Sequence, residues 1–149
     1  MFKSRVTLTH IPNQFHWVVF EPITYYTEKY GETITVPKGF ITDLASVPRV
    51  IWWLIPNDGR HIIEGSVVHD WLYANAGEIP GWKYSRTQAN FVLREAMREQ
   101  GASRWERFVV WAALQAFGFI SWNRHKKAKV ALENDTIATT TQQTKTDAV

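Results

Sequence analysis

Apolar and polar positions alternate with a period of two through the first part of the chain, over residues 2–43. The apolar members of the pattern are Val6, Leu8, Phe15, Trp17, Val19, Ile23, Tyr25, Ile34 and Val36. Turn-forming pairs such as Pro12-Asn13 and Tyr30-Gly31 interrupt the alternation. Alternation broken by turns is typical of short strands with one buried face. This part of the chain therefore predicts a small antiparallel β-sheet.

The spacing of apolar residues changes to that of helices further along. It predicts three main helices: one from about His61 to Ala76, one from Ser85 to about Gln100, and one that begins near Ser103. Ser85 is followed three residues later by a Gln and Ser103 by a Glu, which is the spacing of a capping box at a helix start. The fold class is therefore α+β, with an N-terminal antiparallel sheet followed by three main helices.

The third predicted helix is apolar on nearly all sides, because residues 108–122 contain only Gln115 and Ser121 as clearly polar side chains. About 20 apolar residues are needed to span a bilayer, and this run has about 15, so we expect no transmembrane segment. A central core helix is favoured over a helix lying in a membrane interface. A basic cluster follows: Arg124, His125, Lys126, Lys127 and Lys129. It is typical of a solvated helix end, with anionic lipid or nucleic acid as the alternative contact.

Composition narrows the possibilities further. A chain of 149 residues fits one domain, and the absence of Cys excludes disulfides and thiol nucleophiles. A net charge of +3 permits contact with phosphate but does not require it, so nucleic acid is not a favoured partner. The N-terminus lacks the apolar core of a secretory signal, and we expect no cleaved signal peptide. Residues 133–149 are Thr-rich, which predicts a globular domain over 1–132 and a disordered tail after it.

The strongest candidate for chemistry is the pair His69-Asp70, which stands inside the apolar run Val67–Tyr73. Ionisable groups among apolar neighbours are either fully hydrogen-bonded or put to chemical use. On a helix His69 and Tyr73 share one face, whereas Asp70 points about 100° away. His69 and Asp70 therefore cannot form a relay with each other. A group that orients His69 must come from another element, and the alternative is a buried structural histidine.

The second candidate segment is the stripe of the second helix that carries Arg86 and Asn90. A polar Asn in an otherwise apolar stripe needs a hydrogen-bond partner. Antiparallel pairing of the first two helices would bring Asn90 towards His69, where its amide oxygen could accept from an imidazole N–H. For Arg86 the alternative is an ordinary surface charge near a helix start.

The third segment, residues 39–49, combines a carboxylate, a hydroxyl and a guanidinium at Asp43, Ser46 and Arg49. These groups could bind an ion and a substrate. The alternative is that Asp43 or Ser46 caps a short helix over residues 48–55, which begins at a proline.

Two of these segments resemble a known family. Thr-Asp-Leu-Ala-Ser-Val-Pro-Arg at residues 42–49 and His-Asp-Trp-Leu-Tyr at residues 69–73 are similar to the marker segments of small phage and prophage proteins grouped as a domain of unknown function. The resemblance covers roughly residues 33–122. It implies a phage-associated protein of the virion or host cytoplasm, with other virion or tail proteins or the bacterial cell envelope as partners. It implies no established activity.

A second resemblance concerns mechanism. A His-Asp-x-x-Tyr helix followed by a second helix with Arg86 and Asn90 looks like the antiparallel catalytic helix pair of secreted phospholipases A2. Carried over, His69 would be the base, Asp70 a calcium ligand, Tyr73 a supporting hydroxyl and Asn90 the group that orients the imidazole. That enzyme class has an acid at the last position, and an amide cannot balance an imidazolium charge. Its paired cysteines and Gly-rich calcium loop are also missing here.

Three hypotheses follow. The first is a metal-assisted hydrolase of lipid esters or envelope polymer that acts during phage entry or exit. Asp43 and Asp70 would hold the ion, Arg49 and Ser46 would bind substrate, and Arg49 or Arg86 would stabilise developing negative charge. Calcium is preferred over zinc, because adjacent His and Asp side chains diverge on a helix. The second is a non-enzymatic virion or tail component with a degenerate His-Asp site. The third is an envelope-binding or nucleic-acid-binding accessory that uses residues 124–129.

Overall fold

The computed structural model describes residues 1–12, 16–42 and 60–146. The strands in these ranges are β1 (Leu8–His10), β2 (Trp17–Val19), β3 (Ile23–Thr27), β4 (Glu32–Val36), β5 (Ile41–Thr42), β6 (Glu78–Ile79) and β7 (Trp82–Lys83). The helices are α1 (Arg60–Ala74), α2 (Arg86–Glu99) and α3 (Arg104–Thr146). N-terminal antiparallel strands followed by three helices confirm the α+β class.

The strands form three small antiparallel sheets: β1-β2-β5, β3-β4 and β6-β7. The β3–β4 hairpin shows the predicted alternation, because Ile23 and Tyr25 pair with Val36 and Ile34 and all four side chains are buried. The β6–β7 hairpin lies between α1 and α2, in a segment for which the sequence predicted neither a helix nor a strand. Strands of two residues are too short to produce a periodic signal.

Helices α1 and α2 form the centre of the molecule and run antiparallel. A Cβ on Gly65, early in α1, would lie 3.0 Å from the Cβ of Ala96, late in α2. Further along α1, His69 contacts Asn90, which comes before Ala96 in α2. Residue numbers therefore fall along α2 as they rise along α1. The likeness of this pair to phospholipase A2 stays a prediction.

The capping signals mark both later helix starts. The Ser85 hydroxyl accepts from the backbone N–H of Gln88, and the Gln88 side chain accepts from the backbone N–H of Ser85. The same reciprocal bonds join Ser103 and Glu106 at the start of α3. Both capping boxes are confirmed, and each satisfies donors that a helix N-terminus would otherwise leave unpaired.

Helix α3 is buried on one side only. Val110, Ala113 and Leu114 join the core, whereas other large apolar side chains of the helix are exposed, among them Trp105, Phe108, Phe117, Phe119 and Ile120. The expectation of a central core helix was therefore wrong, because α1 and α2 cover a single side of α3. No helix within the described ranges is both long and apolar enough to cross a bilayer, as expected.

The second half of α3 continues the same helix. Its contact with the rest of the molecule includes an ion pair from Lys129 to Glu78 in β6. Hydrogen bonds from Lys129 and Lys83 lower the pKa of the Glu78 carboxyl to about 2. The helix runs on through the Thr-rich segment to Thr146. The division of the chain into a domain over 1–132 and a tail over 133–149 stays a prediction.

Candidate functional site

His69, Tyr73 and Asn90 form a hydrogen-bonded network between α1 and α2. The amide oxygen Oδ1 of Asn90 lies 3.0 Å from His69 Nε2 and accepts the Tyr73 hydroxyl at 2.7 Å. The His69 and Tyr73 rings lie 4.1 Å apart, since residues four positions apart share a helix face. An amide oxygen can only accept, so Nε2 carries the imidazole hydrogen and Nδ1 carries the lone pair.

The other imidazole nitrogen, Nδ1 of His69, is buried and has no hydrogen-bond partner among the described residues. It lies 3.9 Å from Oδ1 of Asp70, and the His69 side chain is 0 % exposed. A buried polar group without a partner costs about 1–3 kcal/mol. A hydrolase predicts a water-reachable imidazole, and a structural protein predicts a closed and satisfied network. The observed network is closed to water, against the expectation for a hydrolase, and its Nδ1 is unsatisfied, against the expectation for a structural protein.

Asp70 connects this network to a cleft of about 450 Å³. Its carboxylate accepts a hydrogen bond from the Thr42 hydroxyl at the end of β5. Asp70 and Tyr73 line the cleft, whereas His69 is absent from its lining. On the α3 side the wall is apolar at Phe117 and Ile120 and basic at Arg124. The cleft therefore combines a carboxylate floor, apolar walls and a cationic side.

Close packing against α3 fixes the Tyr73 hydroxyl. A Cβ on Gly118 would lie 2.7 Å from the Tyr73 hydroxyl oxygen, so α3 can approach only because this residue is glycine. The Trp122 ring packs edge-on at 5.0 Å. Burial raises the pKa of the Tyr73 hydroxyl to about 12, and the neighbouring Arg86 charge partly offsets the rise. Nothing in the apolar sequence around Gly118 marked it for this role.

Arg86 joins α2 to α3. Its Nη1 donates to the backbone carbonyl of Leu114 at 3.0 Å, and it lies 3.5 Å from the carbonyl of Gln115. The guanidinium is also hydrogen-bonded to the Tyr73 hydroxyl, so it joins that hydroxyl to the α3 backbone. Arg86 does not line the cleft, and its role in stabilising developing negative charge stays a prediction.

Only some residues of the predicted metal and substrate site are among those that the structure describes. Asp43, Ser46 and Arg49 lie outside the described residues, as does the helix predicted over residues 48–55. In the part of the chain that the structure describes, no group of three or more His, Cys, Asp or Glu side chains is arranged to hold a metal ion. Calcium takes six to eight oxygen ligands. The described residues bring one carboxylate, that of Asp70, and therefore do not form a calcium site by themselves.

Of the predicted site residues, five come together: His69, Asp70, Tyr73, Arg86 and Asn90. The sequence did not assign the α3 side of the cleft to the site. Phe117, Ile120 and Arg124 recur there at intervals of three and four residues, which is the spacing of one helix face. That spacing could have been noticed, but the basic cluster was interpreted as a helix end.

Fold and site define an α+β domain in which an imidazole on one helix lies behind a cleft with a carboxylate floor. The chain belongs to the family described as Protein of unknown function (DUF1353), whose family model matches residues 17–114. The match contains the whole His69–Asn90 site and begins upstream of the residues expected from the two marker segments. No curated protein and no solved structure matches the chain.

Proposed function

We propose that this chain is a phage-associated hydrolase in which His69 activates water. The observation that carries the proposal is the unpartnered Nδ1 of His69, 3.9 Å from the Asp70 carboxylate at the cleft floor. An unsatisfied buried nitrogen in a native core calls for an explanation, and a general base requires such a free lone pair. The phage association rests on the resemblance of residues 42–49 and 69–73 to phage proteins.

The chemistry follows from the tautomer. Nδ1 takes a proton from a water molecule while the water oxygen attacks the acyl carbon of an ester. The imidazolium then returns that proton to the departing alkoxide, so the site is regenerated. Asn90 and Tyr73 hold the ring in place during both transfers. Because the His69 ring has no exposed surface, the proposed hydrolysis requires an opening beside Asp70 that admits water and ester to Nδ1.

Among the substrates considered, the cleft favours a lipid ester over an envelope polymer. Phe117 and Ile120 offer apolar surface to an acyl chain, and Arg124 offers a positive charge to a phosphate and to the developing oxyanion. Arg49 and Ser46 are further proposed substrate contacts.

We also propose calcium, rather than zinc, as the ion, with Asp70 and Asp43 as ligands. Support from the described residues is limited to the Asp70 carboxylate at the edge of the cleft. If calcium binds there, it supplies positive charge to the ester carbonyl. No proton transfer described above passes through the ion.

Hydrolysis of phospholipid vesicles and of purified peptidoglycan, each with calcium, with zinc and with chelator, tests the proposal. We expect fatty acid release that His69→Ala lowers by at least about 100-fold, the minimum usual for a lost general base. His10→Ala, at an exposed histidine on β1, is the matched control and should match the parent. Equal hydrolysis by the parent and His69→Ala would contradict the proposal.

The amide at position 90 allows a gain-of-function test. An amide in place of the orienting acid costs about 10⁴ in kcat in another His–carboxylate system. We therefore expect Asn90→Asp to raise hydrolysis by at least about tenfold, because the new carboxylate balances the imidazolium. Unchanged hydrolysis in a folded Asn90→Asp variant would contradict the role given to this residue.

A non-enzymatic virion or tail component is the second candidate, and the complete burial of the His69 ring favours it. In that case Asn90, His69 and Tyr73 serve only to hold α1 against α2. This candidate predicts no hydrolysis by the parent or by Asn90→Asp. It also predicts that mass spectrometry of purified phage particles detects the chain at stoichiometric amounts.

A further inference from the structure

One face of α3 carries large apolar side chains that the described part of the molecule leaves uncovered. Trp105 is 60 % exposed, Phe108 51 %, Phe119 49 % and Ile120 60 %. At about 100° per residue these side chains fall within about 120° of each other around the helix, and they extend over about 22 Å of its length. We refer to these four residues as the apolar face of α3.

Positive charge flanks the apolar face at both ends. Arg104 and Arg107 lie at its start, and Arg124 follows its end. Lys126 comes 18 residues, or five full turns, after Phe108 and so points in the same direction. Between Arg104 and Leu132 the sequence contains one acidic residue, Glu106, which is buried and bonded to the Ser103 backbone.

We infer that the apolar face of α3 docks on a membrane surface rich in anionic lipid. A row of aromatic and aliphatic side chains flanked by Arg and Lys is the pattern of a helix that lies in the interface plane. The acidic headgroups would meet the cations, and the apolar side chains would enter the boundary below them. The inference does not rest on the proposed hydrolysis, because Trp105, Phe108 and Phe119 lie outside the cleft, although Ile120 and Arg124 also line it.

Charge decides between a membrane and a second copy of the chain. Two such faces packed together would bring cations near cations, and the face carries no exposed acidic side chain to pair with them. Nucleic acid would meet the cations at the ends of the face, but the apolar row between them would find no phosphate. An anionic lipid surface satisfies both the apolar row and the flanking charges.

The test is co-sedimentation of the full chain with vesicles of phosphatidylcholine and phosphatidylglycerol, and with vesicles of phosphatidylcholine alone. We expect binding to the anionic vesicles that weakens with added salt, and little binding to the neutral ones. Trp105→Ser/Phe108→Ser/Phe119→Ser should lower the partition coefficient at least about tenfold. Lys126→Glu/Lys127→Glu should lower it about tenfold or more while leaving the apolar face intact.

Phe20→Ser is the matched control, since Phe20 is 52 % exposed directly after β2 and its ring contacts Lys38. It should bind anionic vesicles as the parent does, and so should His69→Ala. Failure of the parent to bind, or an equal loss in Phe20→Ser, would overturn the inference. It would also be overturned if light scattering showed a parent dimer that the triple Ser variant dissolves, because a second copy would then cover the face.

Discussion

Polar side chains are usually exposed and apolar ones buried, and two regions of this molecule depart from that rule in opposite ways. These regions are the α1–α2 interface and the apolar face of α3. At the interface, His69 and Asn90 are polar and buried, and each keeps one nitrogen that has no partner among the described residues. On α3, Trp105 and Phe119 are apolar and exposed. Natural sequences depart from packing rules mainly at functional sites. The comparison teaches that buried polar side chains at the α1–α2 interface suit chemistry. Exposed apolar side chains on α3 suit binding to another surface.

The largest effect on stability is expected from Asn90→Leu, in the interface. The substitution leaves the His69 Nε2–H and the Tyr73 hydroxyl buried without their common acceptor. We expect the free energy of unfolding in urea to fall by about 3 kcal/mol. Asn123→Leu, at an exposed position of α3, is the control and should change it by less than about 0.5 kcal/mol. A similar change in the free energy of unfolding for Asn90→Leu and Asn123→Leu would contradict the distinction between the α1–α2 interface and the exposed side of α3.

Gly118→Ala should have the next largest effect. The added Cβ would lie 2.7 Å from the Tyr73 hydroxyl oxygen, which is closer than side chains tolerate. We expect a loss of about 2 kcal/mol in urea unfolding. The loss should shrink in a Tyr73→Phe background, because the clashing atom is then absent. A gain of about 1 kcal/mol, as helix propensity alone predicts for alanine, would contradict the close approach.

Tyr73→Phe should cost about 1 kcal/mol near neutral pH, since it removes one hydrogen bond to Asn90. Burial raises the pKa of Tyr73 from 10.0 to about 12. The folded chain therefore keeps a proton that the unfolded chain loses, and this contribution is complete below pH 10 and lost as the pH rises towards 12. Urea unfolding across this range should show a smaller alkaline loss in Tyr73→Phe, while Tyr84 maintains part of it.

The smallest effect on stability is expected from Phe119→Ser on the apolar face. Its side chain is about half exposed, so the free energy of unfolding should change by no more than about 0.5 kcal/mol. Vesicle binding should nevertheless fall. A large loss of stability without any loss of binding would show that this face packs within the molecule.

The sequence predicts those features of the fold and site that depend on residues close together in the chain. It does not predict those that depend on contacts between distant elements. Helices α1 and α2 and the capping box at Ser85 follow from local spacing, and the approach of Asn90 to His69 follows from pairing these helices. The exposed side of α3 does not follow from local spacing. An apolar run contains no information on how many other elements of the fold pack against it. The cost of a Cβ at Gly118 depends on a hydroxyl from another helix, which local patterns cannot reveal.

The most direct test of the central claim is the tautomer of His69, measured by two-dimensional ¹H–¹⁵N NMR of the imidazole nitrogens in the folded chain. The account predicts that the ring hydrogen is on Nε2, donated to Asn90, and that Nδ1 carries a free lone pair. Asn90→Leu should disturb these resonances, whereas Asn123→Leu should not. A hydrogen on Nδ1 in the neutral ring would contradict the account, because no base would then face Asp70.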